Sequence, residues 1–168
     1  MSPITSLEWI SECGDYKVTI SKACYSQMLQ LARKHSPVEV GTSLVGRYSA
    51  DGHEAKILGL APLTPDSSGS RSEFRRGVQG LRTFYGRLFR RFGRQRHYVG
   101  EWHSHPGGAP SPSQKDNINQ GAIAADTKTN CPEAILIILG GDVSADAKLG
   151  VYVYSRSRGR IGLATASP

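Results

Sequence analysis

Apolar residues recur along the chain at two spacings, and the changes of spacing mark its elements. Residues 16–20 alternate apolar and polar, which predicts a strand. Ser21 then stands where a helix needs an N-cap. Cys24, Met28 and Leu31, flanked by Tyr25, Leu29 and Ala32, predict a helix from Lys22 to about Lys34, and Pro37 breaks it. Residues 42–48 (TSLVGRY) and 54–60 (EAKILGL) read as two strands joined through Ser49, Ala50, Asp51 and Gly52, with Asp-Gly supplying a hairpin turn. Residues 62–71, rich in Pro, Ser and Gly, read as an exposed, mobile loop of the kind that borders sites. Phe74, Val78, Leu81, Phe84 or Tyr85, Leu88 and Phe92 then fall at steps of three and four, predicting an amphipathic helix across residues 71–96. A strand follows over Tyr98 to His105, then a helix from about Gln114 to Ala125. The buried strand AILIIL (134–139), a turn at Gly140, Gly141 and Asp142, and the strand LGVYVYS (149–155) complete the series. Helices and hairpins mixed without strict βαβ alternation predict an α+β fold, a curved, mostly antiparallel or mixed sheet flanked by helices. With no repeat or linker, residues 1–168 read as a single domain.

Charge changes this picture in one place. The chain carries a formal net charge of +7. Residues 71–96 hold nine arginines and one acid, Glu73, a segment charge of +8 that leaves −1 for the remainder. The arginine-rich outer face suits solvent, an acidic protein or a nucleic acid. The longest apolar run, AILIIL, is far below the ~20 residues that span a bilayer, and the first fifteen residues carry acids where a leader peptide carries bases. Three cysteines, Cys13, Cys24 and Cys131, without C-x-x-C spacing argue against a disulfide framework or a cysteine zinc site. A cytoplasmic location without membrane contact is the expectation.

Chemistry concentrates in residues 100–116, GEWHSHPGGAPSPSQKD. Side chains two apart on a strand share a face, so His103 and His105 point the same way and their imidazoles can converge on one ion. Pro106 and two glycines reverse the chain, and Asp116 arrives in the first turn of the next helix, where its carboxylate can return toward the histidines. Two nitrogens and one oxygen leave a fourth tetrahedral position open, as catalytic zinc requires. Ser113 and Asp116 also fit a helix capping box that needs no metal. His35, His53 and His97 stand alone and are set aside as satisfied polar residues. Glu101, two before His103, shares the histidines' face, so by parity alone it is an alternative base. Trp102 and Ser104 take the opposite face, the core side for Trp102.

H-S-H-P followed after six residues by S-x-x-D, with Pro112 before Ser113, resembles the motif of the JAMM or MPN+ (JAB domain) metalloproteases. Glu39 in SPVEVGTSLVGRY resembles that family's upstream glutamate. The match covers roughly residues 16–155, and every motif position is filled. The resemblance implies a Zn2+ peptidase, in most members an isopeptidase cutting after the last residue of ubiquitin or a ubiquitin-like protein. His103, His105 and Asp116 would hold the zinc, and Glu39 would take a proton from the attacking water and deliver it to the leaving amine. Ser113 would donate to the tetrahedral oxyanion. The resemblance places the base at Glu39, leaving Glu101 the rival. A carboxylate that holds a metal is not expected to serve fully in a capping box as well.

The small size resembles stand-alone prokaryotic JAB peptidases, including those in antiphage operons such as CBASS, beside ubiquitin-transfer-like enzymes. The expected partner is a ubiquitin-like protein or a target protein joined by a ubiquitin-like ligation system. Arg87, Arg90, Arg91 and Arg94 are the expected substrate-binding residues. The alternative is a nucleic-acid-binding module of JAB fold that uses the Arg71 to Arg96 segment.

Overall fold

In a computed structural model, residues 6–166 are described. The elements are β1 (Ser6–Ser11), β2 (Lys17–Ser21), α1 (Lys22–His35), β3 (Gly41–Tyr48), β4 (Glu54–Leu60), β5 (Ser68–Gly69) and β6 (Phe74–Arg75). They continue with α2 (Leu81–Phe92), β7 (His97–Pro106), α3 (Gln114–Ala125), β8 (Glu133–Asp142), β9 (Asp146–Ser155) and β10 (Gly159–Thr165). No helix among them is long and apolar enough to cross a membrane.

The α+β expectation holds, but the sheet closes. Eight strands form a barrel in the order β1-β10-β9-β8-β7-β3-β4-β2. The pairs β2–β4 and β7–β8 are parallel and the other neighbours antiparallel. Closure is made by β1 and β10, which pair through Trp9 with Thr165 and Ile10 with Ala164. The sequence pattern predicts no strand at either end; each pairs with its neighbour in sequence, β1 with β2 and β10 with β9, and the pairing that closes the barrel joins opposite ends of the chain. Closing the sheet removes its free edges.

The run AILIIL is apolar at every position because β8 is buried on both faces. Ile135, Ile137 and Leu139 enter the main core with Val18, Ile20, Met28 and Trp102. Ala134, Leu136 and Ile138 pack on the other side with Ala124 of α3, Cys131 and Tyr154. Helix α1 begins where expected, with the Ser21 hydroxyl accepting from Cys24 N at 3.1 Å. Its buried stripe is Cys24, Met28 and Ala32.

The long basic helix is shorter than the apolar spacing predicts. It starts at Leu81, and Phe74–Arg75 instead pair with Ser68–Gly69 in a small hairpin. Two glycines decide this. Gly80 adopts φ +84°, a left-handed conformation, and a Cβ on Gly77 would lie 2.1 Å from an Asp66 carboxylate oxygen. That carboxylate accepts from Val78 N and Gln79 N at 2.9 and 3.0 Å, so the 62–71 stretch, largely exposed as expected, is tied to the chain ahead of α2 by hydrogen bonds.

Gly100 lets β7 lie against β8. Its φ is +147°, and a Cβ there would sit 1.9 Å from Ile135 O. Gly100→Ala is expected to cost about 3 kcal/mol of folding free energy, read by denaturant unfolding, through combined backbone strain and overpacking. A loss below about 1 kcal/mol would contradict this account of the β7–β8 contact.

Candidate metal centre

Strand β3 delivers Glu39 to the end of β7. Val40 N donates to Ser104 Oγ at 3.1 Å, and Ser104 N donates to Val40 O at 2.8 Å. Gly41 lies opposite His103, where a Cβ would come 2.1 Å from Trp102 O, so the two strands can meet only at a glycine. Trp102 is buried as expected, and its indole N–H donates to Thr42 Oγ1 at 2.8 Å. The β5–β6 hairpin supports Glu39 from the other side, with Glu39 N donating to Ser70 O at 2.8 Å.

The four residues expected at the centre converge. His103 Nε2 and His105 Nε2 are 3.0 Å apart. Asp116 Oδ1 lies 3.3 Å from the first and Oδ2 lies 3.6 Å from the second, while Glu39 Oε1 lies 3.9 Å from His105 Nε2. Glu39, His103 and His105 each offer a ligand atom within 4.8 Å of the others'. The contact of His105 Nδ1 with Ala109 O at 3.2 Å assigns the ring proton to Nδ1 and leaves the Nε2 lone pair facing the cluster. The Phe74 ring stacks on His103 at 6.4 Å and covers it. Two imidazole nitrogens and a carboxylate oxygen with inward lone pairs are a donor set suited to a divalent metal such as zinc.

The two carboxylates are poised in opposite ways. Burial pushes the Glu39 carboxyl up to about 6, with His103 pulling against it and Asp116 and Glu73 adding to it. Burial also acts to raise Asp116, but the His103 bond and charge and the Ser113 bonds outweigh it and hold that carboxyl well below the usual carboxylate range. Burial, then His103, lowers the His105 imidazole, which favours the neutral ring that ligates metals.

The structure corrects the expectation that Ser113 caps α3 only in part, for Asp116 takes part in both reciprocal bonds while its other carboxylate oxygen faces His103. Ser113 Oγ accepts from Asp116 N at 3.1 Å, and Ser113 N donates to Asp116 Oδ2 at 2.7 Å, while Oδ1 faces His103. The box is complete. Ser113 Oγ thereby accepts from the backbone and keeps its own proton free to donate. It lines a small cavity of about 70 Å³ with Glu39, His105 and Asp116.

Glu101 stands apart from this cluster. Its carboxylate accepts from Tyr98 Oη at 2.7 Å and pairs with Arg76 Nε at 2.8 Å. Burial raises it to about 7 against the pull of Arg76 and Tyr98. Arg76 and Phe74 are contacts that sequence reasoning missed. Phe74 fitted a helical spacing, and nothing local signals the Arg76–Glu101 pair. Beside the cluster, between the hairpin, β7 and α3, lies a cavity of about 470 Å³ walled by Phe74, Arg76, Glu101, Trp102, Ile123 and Leu136 and reaching His103 and Asp116. Arg87, Arg90, Arg91 and Arg94 do not reach the metal cluster. They lie on the exposed side of α2 and the turn after it. His35, His53 and His97 also lie elsewhere, beside Leu31 O, the Tyr16 ring and Tyr98 O.

A closed mixed barrel with a histidine pair and an acid at a helix start defines a JAB-type metal-site fold. The chain belongs to the family described as prokaryotic homologs of the JAB domain, whose model matches residues 21–152. It is 38% identical over 160 residues to the CD-NTase/cGAS isopeptidase of Enterobacter hormaechei subsp. hoffmannii (strain UCI 50), covering 95% of this chain and 87% of that protein. The solution structure of protein DSY2949 from Desulfitobacterium hafniense matches at a TM-score of 0.58 and 21% identity, over 89% of this chain and 90% of that one, a likeness of fold.

In the zinc-free protein Glu39 should titrate near the raised value of about 6, above an ordinary carboxyl, as followed by its carboxyl carbon chemical shift against pH. Zinc loading should move that midpoint down, because a cation at the histidines favours the carboxylate. A Glu39 midpoint in the ordinary carboxyl range without zinc would contradict the burial argument.

The loop carrying the chain from His105 to Ser113 rests on glycines. A Cβ on Gly150 would lie 1.8 Å from Pro110 O, which also accepts from Tyr152 Oη at 2.9 Å. Gly150→Ala should therefore displace Asp116 and weaken zinc affinity about tenfold in chelator competition, and an unchanged affinity would show that the loop does not set Asp116.

Proposed function

We propose that this chain is a zinc-dependent isopeptidase that releases a protein joined through its C-terminal residue by a ubiquitin-like ligation system. The name of the relative, CD-NTase/cGAS isopeptidase, supports a CD-NTase as the conjugated protein, and the resemblance to small prokaryotic JAB peptidases supports a ubiquitin-transfer-like enzyme as the maker of the conjugate and bacterial antiphage defence as the setting. The observation that carries this reading is the convergence of His103, His105 and Asp116 beside a second, oppositely poised carboxylate, Glu39. The three free cysteines are compatible with the reducing cytoplasm assigned to it.

His103, His105 and Asp116 would hold the zinc, which when bound would supply Lewis acidity at the scissile carbonyl and acidify the attacking water. Glu39 does the proton transfer. With its carboxyl raised by burial, it accepts a proton from the water as the water oxygen bonds to the carbonyl carbon. It then delivers that proton to the amine nitrogen as the C–N bond breaks, leaving a carboxylate and a free lysine amine. The Ser113 hydroxyl, which accepts from Asp116 N and keeps its own proton free, donates to the oxygen on which negative charge develops. Glu101, held by Arg76 and Tyr98, keeps the wall beside His103 in place.

Glu39→Gln should retain one zinc per chain and lose activity by about 10²–10⁴ fold on a bacterial CD-NTase joined through its C-terminal carboxyl to a lysine of a carrier protein. Removing zinc from the wild type with a chelator should abolish cleavage, and restoring zinc should recover it. Cleavage that survives both treatments would sink the assignment.

A further inference from the structure

The outer face of α2 is unused by the site. Arg82, Arg87, Arg90, Arg91, Arg94 and Arg96 are exposed there and in the short turn that follows, and among the described residues none of them forms an ion pair. Arg87 lies three and four residues before Arg90 and Arg91, spacings at which like charges on a helix repel. The first turn holds no acid to complement the helix N-terminus, and Gly80 gives it no side-chain cap. The helix therefore carries a concentration of positive charge that nothing in the described chain offsets.

The face also has shape. Phe89 is 64% exposed, two turns from Arg82 on the same stripe, whereas Tyr85 and Phe92 turn inward. Gly86 leaves the backbone bare between them, for a Cβ there would meet only Arg90 Nη1, at 3.8 Å. Arg91 and Arg96 stack on Phe92, which holds their guanidinium groups in place. A cationic face with one apolar knob and one glycine beside it fits a protein surface. Phosphate binding needs the charges alone.

The face is continuous with the site. The cavity beside His103 is walled by Arg76 and Ile123, and the same two residues wall a second depression of about 230 Å³ that runs to Leu81, Arg82 and Tyr85 of α2. Tyr85 anchors α2 to the barrel, its hydroxyl donating to Leu44 O at 3.3 Å and its ring meeting Tyr98 edge-on. A protein whose tail enters the cavity at His103 would lay its body past Arg76 onto α2.

We propose that the Arg82, Arg87, Arg90 and Phe89 face of α2 docks an acidic surface, with an apolar recess, of the folded protein whose conjugate is cleaved, which rests on the isopeptidase reading. Docking here acts on encounter and binding and leaves the chemistry at Glu39 alone, so it belongs in KM.

The test compares two substrates that share one scissile bond: the CD-NTase–carrier conjugate and a short peptide spanning only that bond. Arg82→Glu/Arg87→Glu/Arg90→Glu should raise KM for the conjugate about tenfold or more with kcat changed less than about twofold, and should leave the peptide's KM within about twofold. Raising salt should raise the wild-type KM for the conjugate and affect the variant little. Phe89→Ser should raise the same KM about threefold or more, and all variants should keep the wild-type thermal midpoint, since these side chains are exposed. An unchanged conjugate KM, or equal effects on both substrates, overturns the proposal. An unchanged KM with lost affinity for a single-stranded DNA 20-mer would instead make the face a nucleic-acid surface.

If the wild type cleaves neither substrate, the isopeptidase reading fails by itself. Docking is then read from fluorescence anisotropy of the labelled conjugate on Glu39→Gln protein with and without the three arginine reversals. About tenfold weaker binding on reversal supports docking, and equal binding overturns it.

Discussion

The antiparallel junction of β3 with β7 is the contact on which the rest of the centre depends. Reciprocal bonding between Val40 and Ser104 fixes the register, and Gly41 allows the backbone of Trp102 and His103 to approach where any side chain would collide. Glu39, one residue before that lock, is thereby set against His103 and His105 with little freedom to withdraw. Strand β7 contributes the other half, since a period of two places both imidazoles on one face. A buried carboxylate and two imidazoles from distant parts of the chain thus meet at one short stretch of sheet.

Each remaining element holds one part of that arrangement. Strand β8, buried on both faces, gives β7 a rigid parallel neighbour from Gly100 to Pro106. The glycines at 140 and 150 let the loop after His105 lie flat on β8 and β9, so that helix α3 begins beside the histidines. The capping box then aims Asp116, using one carboxylate oxygen for the helix and the other for His103. The β5–β6 hairpin covers the opposite side, bonding to Glu39 N and stacking Phe74 on His103. Exclusion of water by this packing pushes Glu39 up, while hydrogen bonding keeps Asp116 ionised.

Much of this was legible in the sequence where the signal is local. The span of α3 is Gln114–Ala125 as the pattern predicts, and AILIIL, H-x-H and the Asp-Gly hairpin each carry their own chemistry or period. His103, His105 and Asp116 were legible from their types and spacing, whereas Glu39 was legible only through the resemblance of the residues around it to the JAMM motif, because parity alone pointed to Glu101. Barrel closure was not, since the pairing of β1 with β10 joins opposite ends of the chain and no local pattern signals it. The hairpin was hidden because Phe74 satisfies a helical step, while the decisive facts, Gly77 against Asp66 and the left-handed Gly80, are tertiary and conformational. The partners of Glu101 were hidden for the same reason: parity places it with the histidines, but the ion pair with Arg76 turns its carboxylate elsewhere.

The central claim is a division of labour between two carboxylates, Asp116 holding the metal and Glu39 moving the proton. Both lie close enough to the imidazoles for the roles to be exchanged on distance alone. X-ray absorption at the zinc edge on wild type, Glu39→Gln and Asp116→Asn separates them. The account predicts the same two-imidazole, one-carboxylate ligand set in wild type and Glu39→Gln, and a lost or altered set in Asp116→Asn. A ligand set disturbed in Glu39→Gln and intact in Asp116→Asn would contradict it and make Glu39 the ligand.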